Sequence, residues 1–282
     1  MSLICIIAGF LLERMLETLQ HLRNFQWFEK YSQWMINHMP GLIEQGASSI
    51  VILLLPVMLV AGLIQNMLAD TFFNVFSLMY GFIIFIYCLG PGDLDKEIDC
   101  FLTARETADE DMAHKCASAI MGEDSSRSPD QQIIDVTQNI LYQSNDRFFA
   151  VIFWFVVLGP FGALLYRLTS YTSKRSNNKT LTAAARRLKA ILAWPPAHLV
   201  AVGYALTGNY EGASAGFKGK QKKDELNECN YNTLVSAGLG ALKNCAPGEE
   251  TACIRSTRGL VLRTLIVWLA LIALLTLMGW MS

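Results

Sequence analysis

Apolar positions gather in four blocks, residues 49–68, 72–90, 148–165 and 264–281, and between them apolar and polar residues recur at helical spacing. Each block is close to the roughly 20 residues that carry a helix across about 30 Å of hydrocarbon. The pattern predicts an all-α, polytopic integral membrane protein. Residues 13–33 set Leu16, Leu19, Leu22, Phe25, Trp27 and Phe28 against Glu17, Gln20 and Glu29, the signature of an amphipathic helix lying at an interface. A shorter apolar run, 3–12, is too brief to span, and Glu13-Arg14 after it does not read as a cleavable signal. His38-Met39-Pro40-Gly41 ends that region, and Asp70-Thr71 forms the turn of a hairpin made by the next two blocks.

A polar region follows Pro91-Gly92. Residues 93–105, 109–121 and 130–143 each repeat apolar side chains with helical period, which predicts three amphipathic helices. The third runs directly into the block at 148–165, carrying Asn145, Asp146 and Arg147 to its edge. That block contains Gly159-Pro160-Phe161-Gly162, where a missing amide hydrogen and two glycines break a helix. Lipid does not tolerate the freed backbone groups, so the break faces protein or a wet cavity. Beyond it, Arg167, Lys174, Arg175, Lys179, Arg186, Arg187 and Lys189 make the chain strongly basic. If 148–165 crosses fully, about half of the 23 basic residues are stranded outside; if it dips in and returns at 159–162, all can lie in the cytoplasm. The re-entrant path is favoured, and it brings Asp146, Arg167 and His198 to one face. For the basic stretch itself, contact with acidic lipid is the simplest role.

Residues 183–194 form a helix ended by Pro195-Pro196. Residues 197–207 then form a second, eleven-residue helix too short to span, with His198 in its first turn. Residues 212–223 read as a polar glycine- and lysine-rich loop, 231–242 as a short helix and 264–281 as the last span. Organised this way, the chain is a single membrane domain: interfacial helices to 47, a transmembrane hairpin to 91, a soluble helical region to 147, the broken segment to 168, a basic helical region to 258 and a final span.

Overall composition, 52% apolar with a net charge of -1, does not separate a membrane protein from a large globular one; the blocks do. The balance of 23 basic and 24 acidic residues gives no reason to expect nucleic acid as a partner. Seven cysteines without CxxC spacing and four scattered histidines argue against a metal site. Free cytoplasmic thiols are expected, with Cys245 and Cys253 spaced to close a small disulfide loop only in an oxidising compartment. Gly212–Lys220 departs from the spacing of a phosphate-binding loop and follows a helix where that motif needs a strand.

The order of Ile120-Met-Gly-Glu-Asp124, Asn145-Asp146, Phe153-Trp154 with the Gly-Pro break, Leu165-Tyr-Arg167 and the run from Ala184 to His198 resembles the AmpE/CobD-CbiB superfamily. Glu13-Arg14 and the run from Tyr204 through Ser214 resemble its AmpE branch more closely. The CobD/CbiB branch implies a membrane enzyme that uses ATP to join an aminopropanol, or its phosphate, to a corrinoid carboxylate. Its acidic helix pattern is met here by Gln138, Tyr142, Gln143 and Asp146, so one acid of the set is kept, and its tyrosine-lysine pair ends in Arg167. Losing carboxylates removes the means to hold Mg-ATP. The AmpE branch implies an inner-membrane modulator of β-lactamase induction linked to cell-wall recycling, without catalysis. The candidate ligand-binding residues are therefore Asp146, Arg167, Gln143, Tyr142, Asp124 and His198, with no cofactor, and with a small cytoplasmic metabolite, a cell-wall fragment, a protein or a second copy as partner beside the bilayer. A divergent ATP-dependent ligase is the alternative, using Asp124 or Asp146 for metal and Arg167 for phosphate.

Overall fold

The computed structural model describes residues 25–39, 41, 46–69, 75–89, 94–122, 125, 128–176, 178–217, 226–242 and 250–278. Helices account for nearly all of these residues, and no strand occurs among them. In chain order they are α1 (Gln26–His38), α2 (Ser49–Ala69), α3 (Val75–Cys88), α4 (Leu94–Glu106), α5 (Glu110–Met121) and α6 (Pro129–Ser144). A π-helical turn (Asn145–Phe149) leads to α7 (Ala150–Arg175), α8 (Lys179–Thr207), α9 (Tyr210–Phe217), α10 (Leu226–Ala241) and α11 (Glu250–Leu277). Four candidate spans are long and apolar enough to cross a membrane among the described residues: Ser49–Leu68, the continuous helical run Asp130–Arg175, Lys179–Thr207 and Thr251–Leu277. The chain forms two compact units, one of residues 1–91, 150–193 and 272–282, the other of 92–149 and 194–271.

In the first unit α2 turns Val51, Leu55, Leu59 and Leu63 outward, each about half exposed or more, as a helix bathed in lipid does. Its partner α3 is described over 14 residues, Val75–Cys88, and residues 72–74 and 90 of the expected block lie outside the described residues. Against both lies α7, broken where the sequence places the break. Gly159 has φ 68° and ψ -156°, a conformation open to glycine and strained for any other residue. The chain folds back there. A methyl placed on Gly162 meets the Trp154 carbonyl oxygen at 2.4 Å, although eight residues of straight helix extend about 12 Å. Phe155 packs on Phe85 with ring centroids 4.8 Å apart, Pro160 reaches Gly81, and Tyr171 and Tyr87 both meet the Phe25 ring. The two arms of α7 thus descend and return along α3.

Pro195-Pro196 does not end a helix, as the sequence reading expected: α8 runs unbroken for 29 residues. Pro196 cannot donate to the carbonyl of Leu192, four residues back. That oxygen instead accepts the Trp154 indole N–H at 2.9 Å. The broken arm of α7 therefore satisfies the backbone group that the prolines free. At its start, α8 is capped by Asn178 Oδ1, which accepts the Leu181 N–H at 3.1 Å.

In the second unit α4 and α5 form a hairpin. Asp109 caps α5 by accepting the Met112 N–H at 3.0 Å, and Gly122 closes it in a left-handed conformation. Leu94, Ile98, Phe101, Ala117, Ile120, Val136 and Ile140 fill the core between this hairpin and α6. A disulfide joins Cys100 to Cys116 across the hairpin, with Cα atoms 6.0 Å apart. Cys253 is also disulfide-bonded, while Cys88 and Cys229 are not. This corrects the expectation of free thiols, which rested on placing them in the cytoplasm; packing of two helices brings the hairpin cysteines together.

Two further boundaries move. Residues 212–217, the first part of the expected 212–223 loop, belong to α9, because its glycines fit it against α10: a methyl on Gly212 meets the Gly240 carbonyl oxygen at 2.1 Å. The last helix starts at Glu250, well before the expected span, since its first turns are polar but anchored. There Arg255 pairs with Glu106, and Arg258 with Asp95 and Asp99 at 2.8 and 2.6 Å.

Candidate functional site

Where α6 meets α7 the second unit carries an uninterrupted buried polar run: Gln143, Ser144, Asn145, Asp146 and Arg147 are each 8% exposed or less. Five residues of π-helix widen the turn here and re-aim the side chains, a feature that often marks functional sites. The Asn145 N–H bonds to the Tyr142 carbonyl. The Leu141 carbonyl is reached by the Ser144 hydroxyl at 2.9 Å and the Tyr204 hydroxyl at 3.2 Å, and those hydroxyls lie 2.9 Å from each other. The turn is thus held open by a tyrosine from α8.

Around it each candidate has a defined place. Gln143 donates through Nε2 to the Met121 carbonyl at 3.4 Å, which fixes its Oε1 inward as an acceptor. That oxygen and Asn145 Oδ1 are buried and accept no hydrogen bond among the described residues. Tyr142 packs at a tilt against Tyr231, centroids 5.3 Å apart, and the Tyr231 hydroxyl donates to Gln138 Oε1 at 3.0 Å. Arg147 Nη1 pairs with Glu97 Oε2 at 2.8 Å. Asp146 is 2% exposed. Taken as chemistry, the elbow offers two buried oxygen acceptors, Gln143 Oε1 and Asn145 Oδ1, and it suits a ligand that donates hydrogen bonds. Among the described residues no three His, Cys, Asp or Glu side chains gather as a metal requires.

His198, expected at a helix start, lies within α8, where its Nδ1–H donates to the Trp194 carbonyl at 2.8 Å and its ring packs on that indole. It is half-buried. Arg167 belongs to the first unit, 4% exposed, with its guanidinium 5.8 Å from the Phe25 ring centroid. Asp124 lies outside the described residues. Tyr142, Gln143, Asp146 and His198 fall in the second unit. Sequence reasoning missed Glu97, Ser144, Tyr204 and Tyr231. For Glu97 a signal existed, since a buried arginine needs an acid, but α4 also carries Asp95, Asp99 and Glu106, and the sequence cannot choose among them.

The helices and the buried polar elbow define an all-α membrane protein with internal polar groups gathered at a widened helical turn. The chain belongs to the AmpE family: the model described as "Regulatory signalling modulator protein AmpE" matches residues 1–282. It is also similar to the cobalamin biosynthesis protein CobD of Stutzerimonas stutzeri (strain A1501), 29% identical over 136 residues, which cover 46% of this chain and 44% of that protein. The CobD of Chromobacterium violaceum is 26% identical over 205 residues, 70% of this chain and 63% of its own length. The match thus spans less than two thirds of each of these curated relatives. No solved structure matches.

Proposed function

We propose that the chain is an inner-membrane regulatory protein acting in β-lactamase induction and cell-wall recycling. It binds a ligand or partner at the α6–α7 elbow and catalyses no reaction. The observation that carries this reading is the use made of the side chains there. Where the resemblance implies acids, Gln138, Tyr142 and Gln143 are engaged in contacts with Tyr231 and the Met121 carbonyl, and Asp146 remains as the carboxylate of the set. One carboxylate makes a poor Mg-ATP site. The positive-inside tendency supports a cytoplasmic side for the basic end of the first unit.

A second reading, an ATP-dependent amide-forming ligase, is favoured by the similarity to the two CobD proteins. One pair of measurements separates them. Purified full-length protein is assayed for Mg-ATP binding and hydrolysis, and cells carrying Asp146→Asn or Gln143→Leu are assayed for β-lactamase induction. The regulatory reading expects altered induction in the variants and no ATP turnover in the parent. ATP hydrolysis that requires an acid substrate and is lost in Asp146→Asn overturns it.

A further inference from the structure

The first unit has one end whose chemistry differs from the rest of its surface. Six basic side chains are exposed there: Lys30 on α1, Lys174 and Arg175 at the end of α7, and Lys179, Arg186 and Arg187 on the first turns of α8. Among the described residues of this unit the acid is Glu29, which accepts from the Tyr171 hydroxyl at 3.4 Å. A charge imbalance of this size is a strong local field. The cations are held by folded structure. Arg175 and Ser176 line a groove with Glu29, Ser32 and Gln33 of α1, and Thr182 Oγ1 donates to the Ser176 carbonyl at 3.0 Å, tying the α7–α8 link.

Beside the charges lies an amphipathic helix. On α1, Phe28 and Met35 are buried, while Trp27 and Trp34 are 46% and 53% exposed one turn either side of Lys30. Trp34 stacks on His38, and Trp27 donates to the Tyr87 hydroxyl at 2.6 Å. The indoles are thus fixed at the end of the bundle, where Tyr31 also donates to the Leu53 carbonyl at 3.2 Å. Immediately below, the surface becomes hydrocarbon. Val51 and Leu55 follow Ser49 on α2, and Ile191, 56% exposed, follows Arg187 by about one turn on α8. Exposed indoles between a cationic rim and a lipid-facing wall match the layer order of headgroups over acyl chains.

We propose that this end of the first unit is a binding surface for the phosphate headgroups of anionic phospholipids, with Lys179, Arg186 and Arg187 as its charge contacts and Trp34 as its interfacial anchor. Soluble phosphate compounds share the charge chemistry. The lipid is favoured because the cations are continuous with the apolar wall and because the groove beside them, with a cavity volume near 40 Å³, is too small to enclose a nucleotide.

The test uses the full chain reconstituted in phosphatidylcholine bilayers that contain a minority of brominated phosphatidylglycerol or, in parallel, brominated phosphatidylcholine. The fluorescence of Trp34 is taken as the difference from a Trp34→Phe variant. Brominated phosphatidylglycerol is expected to quench it more at equal mole fraction, and each neutralised cation to weaken the preference by about five-fold. Lys179→Gln/Arg186→Gln/Arg187→Gln should abolish the preference, while Lys179→Arg/Arg186→Lys/Arg187→Lys, which keeps the charge, should retain it and serves as the control for folding. Equal quenching by the two lipids in the parent overturns the proposal. So does a preference that survives neutralisation, or one that millimolar inorganic phosphate or ATP removes, since the surface then takes a soluble anion.

Discussion

At Gly159 the backbone itself decides the path of the chain, because φ 68° with ψ -156° lies where a Cβ is strained. Gly159→Ala is expected to destabilise the fold by about 1–3 kcal/mol, from strain in the left-handed region. Gly162→Ala should cost a similar amount, as its methyl meets the Trp154 carbonyl oxygen and Leu158 Cβ at 2.4 and 2.7 Å. Thermal unfolding in detergent measures both, and an unchanged midpoint for either contradicts the reversal. The sequence showed this pair plainly, since glycine and proline announce a break from composition alone. It could not show what the polar residues beside it would meet. Tyr231 is such a case: burial, then the charge of Asp135 and the neighbouring Tyr142, push its hydroxyl above the ordinary tyrosine value. A raised pKa means that the folded state holds its proton longer than the unfolded chain. Its contribution to stability is therefore complete below about pH 10. It is lost as pH rises from there through the higher folded-state value. Denaturation across pH 9–12 is expected to show a steeper loss for the parent than for Tyr231→Phe.

Elements were legible wherever periodicity spoke and illegible wherever a partner overruled it. The hairpin α4–α5 and the passage of α6 into α7 follow the apolar spacing, but α8 crosses a double proline because another helix supplies the missing donor. Trp154→Phe withdraws the Leu192 carbonyl's hydrogen bond. The expected loss is about 1–3 kcal/mol, the cost of a buried acceptor left unpaired. Adding Pro196→Ala restores an N–H that can donate to the same oxygen, so the double variant is expected to recover most of it. If the second change adds to the damage, the indole is not what carries the helix through. In α4–α5 the Cys100–Cys116 bond closes a loop with a sequence separation of 16. Reduction, or Cys100→Ala/Cys116→Ala, is expected to cost about 3 kcal/mol through the freedom returned to the unfolded chain. A melting curve insensitive to reductant removes that contribution.

For the whole molecule the sequence correctly announced a helical membrane protein, because hydropathy integrates over 20 residues and tolerates local error. It divided the spans less well. The break inside 148–165 announces the helix that doubles back, but the polar start of α11 conceals a helix that begins 14 residues before the apolar block. In each case the deciding term is a contact distant in sequence, such as Phe155 on Phe85 or Arg258 on Asp95 and Asp99. The reversal has a consequence for topology, since a helix that descends and returns delivers its end to the level of α1. Gln33 of α1 and Ser176 beyond α7 line one groove, so Gln33→Cys and Ser176→Cys should respond alike to a membrane-impermeant thiol reagent. With the basic end in the cytoplasm, neither is expected to label in intact cells and both to label after permeabilisation. Labelling of both in intact cells keeps the reversal but turns the basic end outward, against the positive-inside tendency. Labelling at Ser176→Cys alone means that α7 crosses the bilayer, and the path along α3 fails with it.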